Sequence, residues 1–349
     1  MKLLPVIAVS ALSISILGAC QLTAPSKQPT ITASAMTMTS NKQLTYPDTQ
    51  KGDVVDTYFG TDVADPYRWL EDDRSAETGA WVKAQNAVTQ SYFDQIPYRD
   101  QIAKVVTDLI NYERISSPFK EGDYTYFYKN DGLQNQSVVY RQKENSDVEV
   151  FIDPNNFSAD GTVSLAGMYF SDDGQTLAYM TSTGGSDWRE VYIMDAQTKN
   201  LIGEPLQDVK FSGISWFKNE GFYYSSYDKP TGSELSDKTD QHKVYYHALG
   251  TSQQTDQPIF GHTEAEKHRY IGTQVSEDNR YLFVSAANST SGNRAYVKDL
   301  TQSDSQWQTV KQDIAADVYM LTNKGSTLYL VTNENAPNTK IIKVDIAAP

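Results

Sequence analysis

The sequence predicts a mainly β fold, about five blades of a β-propeller preceded by two amphipathic helices. Three observations carry that expectation. First, a turn followed by a strand, Ser171-Asp-Asp-Gly-Gln-Thr-Leu-Ala-Tyr-Met180, recurs along the chain. Asp side chains bond nearby backbone and glycine accepts positive φ, so Asp172-Asp173-Gly174 is turn chemistry. Leu177 and Tyr179 then alternate as one face of a strand requires. Second, the next strand recurs at Tyr140, Tyr192, Tyr245, Tyr296 and Ile342, a spacing of about 50 residues that suits a propeller blade. A β-sandwich is the simpler alternative, but a sandwich has no reason to hold a fixed period. Third, the apolar spacing before the repeat is helical.

Taken in order, the chain begins with a short basic start, an apolar core and small residues ending at Cys20, the pattern of an export signal. Leu17-Gly-Ala-Cys20 resembles a bacterial lipobox, which implies cleavage after residue 19 and lipid attachment to the Cys20 sulfur. A plain signal peptide or an uncleaved anchor with a chance cysteine is the alternative. Cys20 is the only cysteine and falls where the lipobox requires it, which favours the lipoprotein and excludes an intrachain disulfide. Residues 20–45 are rich in Thr, Ser, Gln and Pro and read as a disordered tether. Gln21 stands where many inner-membrane lipoproteins carry Asp, so an outer-membrane anchor on the periplasmic side is expected. The net charge of −14 disfavours a nucleic-acid partner.

Residues 46–112 change character. Asp65-Pro-Tyr-Arg-Trp-Leu-Glu71 is a turn entering a short helix, with Pro66 at an early position that it tolerates. Ser75 or Thr78 could cap the next helix. Trp81, Gln85, Val88 and Tyr92 form its stripe, and Pro97 stops it. Ile102, Val105, Val106, Leu109 and Ile110 form the stripe of a second helix. Both faces must be buried against something. From residue 113 onward the propeller repeat takes over; the 23 tyrosines of the whole chain, with many Val and Thr, favour strands.

Asp65-Pro-Tyr-Arg-Trp-Leu-Glu-Asp72 followed by Ala84-Gln-Asn86 closely resembles the N-terminal segment of the prolyl oligopeptidase family of serine peptidases. Gly185-Ser-Asp-Trp188 and the stretch from His242 to Thr251 resemble further landmarks of that family, in the same order. The related oligopeptidase B branch shares the first element, whereas the later two look more like the proline-specific branch. The resemblance implies an α/β-hydrolase domain capped by a seven-bladed propeller, with the N-terminal helices on the hydrolase side. It implies cleavage of short peptides after proline, the propeller excluding folded proteins. On that basis the chain is an incomplete propeller, about five of seven blades.

Such hydrolysis needs an activated serine, a histidine base, an orienting acid and oxyanion donors. The serine should sit on a Gly-x-Ser-x-Gly elbow, and the sequence contains none. Gly213-Ile-Ser215 is followed by Trp216 and Phe217, and Gly184-Gly-Ser186 by Asp187 and Trp188. Of the four histidines, His242 and His247 flank a strand on opposite faces, and His262 and His268 lie in a polar connection expected to be solvated. Asp172 and Asp173 lack a calcium-loop spacing and read as ordinary turn residues. No catalytic residue, cofactor or metal ligand is therefore expected in this chain, which reads as the N-terminal part of a longer enzyme. A non-enzymatic lipoprotein propeller that binds peptides or envelope partners is the alternative, and the helical segment argues against it.

One connection is unusually long. Residues 227–241 join two strands where two to five residues are usual, and they hold turn formers and charges without periodicity. In the resembled family the matching connection lies between propeller and hydrolase and is implicated in substrate access. A gate is expected there, with Lys229, Glu234, Asp237 and Asp240 as its charged residues; a loop that merely tolerates insertion is the alternative.

Overall fold

The computed structural model describes residues 44–230, 232 and 239–347; the fold set out below is that of the unit beginning at Tyr46. It opens on a hairpin, β1 (Val55–Tyr58) with β2 (Thr61–Ala64), followed by α1 (Ala76–Phe93) and α2 (Arg99–Ile110). Ser75 caps α1, its Oγ accepting from the Thr78 amide at 3.0 Å. Arg68 in the preceding turn is held by the carboxylates of Asp56 and Asp65, which ties the Asp-Pro-Tyr-Arg element to β1.

Five antiparallel sheets follow, each from one stretch of chain. Blade 1 contains β3 (Arg114–Ile115), β4 (Phe119–Glu121), β5 (Tyr124–Asn130), β6 (Val138–Lys143) and β7 (Glu149–Ile152). Blade 2 is β8 (Val163–Phe170), β9 (Thr176–Thr183), β10 (Trp188–Asp195) and β11 (Leu206–Lys210). Blade 3 is β12 (Ser215–Phe217), β13 (Gly221–Ser226), β14 (Lys243–Ala248) and β15 (Gln257–Phe260). Blade 4 is β16 (Tyr270–Val275), β17 (Tyr281–Ala287), β18 (Arg294–Asp299) and β19 (Gln308–Lys311). Blade 5 has three strands, β20 (Val318–Lys324), β21 (Thr327–Thr332) and β22 (Lys340–Asp345).

The packing separates a propeller from a sandwich. A sandwich shares one core between two sheets. Here each successive pair of blades has its own apolar seam: Tyr126 and Phe151 against Leu177 and Tyr179, Ala178 and Met180 against Trp216 and Phe222, Tyr223 and Val244 against Ile271 and Leu282, Phe283 and Val297 against Val318 and Leu328. The strand β9 is therefore buried on both faces. Leu177 and Tyr179 share one face as their alternation requires, and Ala178 and Met180 fill the seam on the other, because a blade in the interior of a propeller has a neighbour on each side. The edge strands β4, β8, β12 and β16 line one shared cavity of about 460 Å³, the central opening of the array.

Turns between first and second strands meet around that opening. The Asn219 Oδ1 accepts from the Asp173 amide at 3.2 Å, the Asn279 Nδ2 donates to Asp172 at 2.8 Å, and the Asn323 Nδ2 donates to Asp278 at 2.8 Å. Blades 2 to 5 are thus linked turn to turn. Blade 1 joins by close approach: a Cβ on Gly174, whose φ is +69°, would sit 2.4 Å from the Gly122 nitrogen. Asp173 itself accepts from the Ser171 hydroxyl and the Gln175 amide, which is the turn chemistry expected of it.

The helices behave differently. The Trp81, Gln85 and Val88 side of α1 is half-buried, with Trp81 Nε1 donating to Thr49 at 2.9 Å. Every residue of the Ile102, Val105, Val106, Leu109 and Ile110 stripe on α2 is exposed, Leu109 at 70%. The expected helices form, but the second buries its apolar face against nothing among the described residues.

Candidate functional site

Both stems of the long connection are ordered on the propeller. Tyr227 follows β13 directly and His242 precedes β14, and their rings stack with centroids 4.3 Å apart and planes at 19°. The Tyr227 hydroxyl donates to the carbonyl of Arg269, and burial holds the phenol well above its ordinary pKa. Asp228 pairs with Lys243 at 2.6 Å. Lys229 reaches Asp208 of β11 at 2.9 Å, and Asp240 reaches Lys267 ahead of β16 at 3.7 Å. The two described members of the charged set, Lys229 and Asp240, thus lean on opposite neighbouring blades. Glu234, Asp237 and Cys20, the residue expected to carry a lipid, lie outside the described residues.

Beside the first stem is a cavity of about 340 Å³ lined by Asp208, Tyr224, Tyr227, Lys229, Tyr245 and Asp256, among others. Its floor holds a buried polar cluster. Asp256 accepts from the Tyr224 hydroxyl at 3.0 Å, and its two oxygens lie 3.1 Å from His247 Nδ1. His247 and Asp256 resemble the acid–base half of a hydrolytic relay. Their side chains are only 3% exposed, and the remaining partner is a tyrosine that burial and Asp256 keep protonated far above neutrality. The cluster is therefore a fastening of β13 and β14 to the connection that follows them.

The serines of the two incomplete elbow motifs are equally tied down. Ser215 lies in β12 with Oγ donating to the Thr273 carbonyl at 2.8 Å, in a strand and not on an elbow. Ser186 accepts from the Trp188 amide in the β9–β10 turn, where Gly184 and Gly185 both have positive φ. Among the described residues no three His, Cys, Asp or Glu side chains cluster as a metal would require.

Two residue roles were not foreseen. His268 was expected to be solvated; it is 1% exposed, with Nδ1 bonded to the Glu266 carbonyl, and burial lowers its pKa. His262 in the same connection does remain partly exposed. Arg141 is also buried. Its guanidinium lies 4.2 Å from the Tyr124 ring centroid and 4.7 Å from that of Phe151, pairs with Glu149 at 2.7 Å, and donates to the carbonyls of Ala196 and Gln197 in blade 2. In sequence, Arg141 follows Val138-Val-Tyr140 with no flag that a charge points inward.

In the central cavity, Glu121 stands among Phe119, Phe170 and Trp216, and burial raises its carboxyl pKa. The serine in that lining, Ser215, is the β12 residue already bonded to the Thr273 carbonyl.

Comparison with known proteins agrees with this picture. Residues 46–349 match the family model described as prolyl oligopeptidase, N-terminal beta-propeller domain. A prolyl endopeptidase of Elizabethkingia miricola is 51% identical over 317 residues, covering 90% of this chain but 45% of that protein. The structure of prolyl oligopeptidase B from Galerina marginata, bound to a 35mer substrate, superposes with a TM-score of 0.74 at 32% identity over 87% of this chain and 46% of that one. Oligopeptidase B from Leishmania major shares the fold, with a TM-score of 0.70 at 17% identity over 88% of this chain and 45% of that one. The chain thus spans about half the length of the relatives it matches. It belongs to the prolyl oligopeptidase family, and the part of that family's architecture it carries is the N-terminal propeller.

Proposed function

We propose that this chain is the propeller-bearing half of a lipid-anchored serine endopeptidase that cuts short peptides after proline. The 51% identity to a prolyl endopeptidase across 90% of the chain supports this best. In this reading the nucleophile, base and acid reside in the half of the relatives' length that the chain does not span, and the chain alone hydrolyses nothing by that route. Residues 1–19 direct export, Cys20 carries the lipid at the periplasmic side of the outer membrane, and residues 20–45 tether the fold. Residues 46–112 dock the exposed face of α2 on the catalytic half, and residues 113–349 limit substrate size. An oligopeptidase B-like peptidase is less well supported, at 17% identity. A free-standing binding propeller leaves the bare face of α2 without a use.

The test is a fusion of this chain to the catalytic half of the Elizabethkingia miricola enzyme, assayed on a short chromogenic proline peptide. The fusion is expected to cleave that peptide after proline and to spare folded proteins, while the chain alone is silent. A folded fusion that cleaves nothing, or a chain active by itself, would overturn the reading. Residues 229–240 act in it as a gate. Replacing them with a short turn should alter kcat and KM together, as lesions in gating segments do. Unchanged rates for short and long peptides alike would reject the gate.

A further inference from the structure

We propose that His242 is a proton-sensitive clasp joining blades 2, 3 and 4, closed while its imidazole is neutral and released when the ring is protonated. The residue lies between β13 and β14 of blade 3 and is 0% exposed. Its Nδ1 accepts from the Ile271 amide of β16 at 2.8 Å, which leaves Nε2 as the protonated nitrogen, donating to the Lys210 carbonyl of β11 at 2.9 Å. Its own amide donates to the His268 carbonyl at 3.0 Å. One ring thereby bonds to the blade on either side of its own, and its face covers Tyr227.

A second proton on the ring removes the acceptor for Ile271, so two N–H groups then face each other in a buried seam. The charged and titratable neighbours are Lys210 from β11, Tyr227 and Asp228 from the first stem, Lys243 on β14, and Glu266, His268 and Arg269 from the connection before β16. No carboxylate among them bonds the ring; Asp228 is taken by Lys243 and Glu266 accepts from the Gly261 amide at 3.1 Å. The Lys210 ammonium lies over the Trp188 and Phe211 rings at 4.8 and 5.3 Å. Burial brings the imidazole pKa down to about 4, opposed only by the Lys210 carbonyl. The seam itself is what disfavours the proton, so by linkage the proton disfavours the seam.

The reader of this clasp is hydrogen exchange at the Ile271 amide in the full chain, corrected for intrinsic rate and compared with Val139 in blade 1. Between pH 7.5 and pH 5, Ile271 protection is expected to fall roughly thirtyfold, from linkage between an open-state pKa near 6.5 and the depressed closed-state value. Val139 should change little. His242→Gln, whose amide can still accept and donate without titrating, should flatten the response. Equal loss at both amides, or an undiminished response in H242Q, would overturn the proposal. Should that variant not fold, the wild-type imidazole resonances decide: a neutral Nε2–H ring persisting to pH 5 supports the clasp, and a ring titrating near its ordinary value sinks it.

Discussion

Arg141 is the residue whose loss should be felt most. Truncation to Ala strips the Ala196 and Gln197 carbonyls of their donor and empties the space between Tyr124 and Phe151, while Glu149 remains in reach of water and of Lys199. The expected cost is about 2–3 kcal/mol, measured as a shift in the urea midpoint at unchanged slope. A shift within about 0.5 kcal/mol would reduce Arg141 to a surface residue. Residues like this one are where sequence reading stops. Asp173 and Gly174 declare themselves because turn geometry demands their types. Nothing local distinguishes a buried Arg or His from an exposed one, since burial is decided by the next blade, some fifty residues on.

At the scale of elements, the legible strands are those that every blade needs in its interior. The second and third strands carry dense Tyr, Val and Leu, as in β13 and β17, and their period was plain. The fourth strands β7, β11, β15 and β19 were not foreseen. They are four or five residues long, polar in part, and joined to the third strand through a register shift in each blade. At the outer edge solvent relaxes the demand for apolar alternation, and β15 even admits Pro258. Helix α2 shows the reverse case: its stripe was clear, and the face it marks stays bare. Five contiguous large apolar side chains in water should drive self-association. Ile102→Lys with Leu109→Lys is expected to shift the purified chain toward monomer in sedimentation velocity, with the thermal midpoint moving by no more than about 2 °C, since neither residue packs on the propeller. A double variant that unfolds the chain would mean that α2 is supported from within.

For the molecule as a whole, acidity should act in two separate windows. His242 and His268 are neutral in the fold with lowered pKa values, His242 to about 4. The unfolded chain takes up those protons near pH 6.5 and the folded chain does not, so their contribution is complete above that value and is lost as pH falls toward 4. For His242 alone this amounts to about 3 kcal/mol. Carboxylates with lowered values, Asp278 and Asp299 among them, act in the same direction in a lower window: their contribution is present above their ordinary range and disappears only at lower pH. Thermal midpoints from pH 7.5 to 4.5 should therefore decline well before the carboxylates titrate. A flat profile down to pH 4.5 would show that the histidines take up protons in the fold as readily as in the unfolded chain.

The bare face of α2 also has a temporal side. The helix is complete at Ile110, and more than two hundred further residues of this chain are made after it. At synthesis rates of roughly 5–20 residues per second, that interval is on the order of ten to fifty seconds. Throughout it the nascent polypeptide displays an oily stripe while the blades assemble behind it, one seam at a time. Whatever attends the nascent chain must therefore tolerate an apolar helix face that is among the first surfaces to be born.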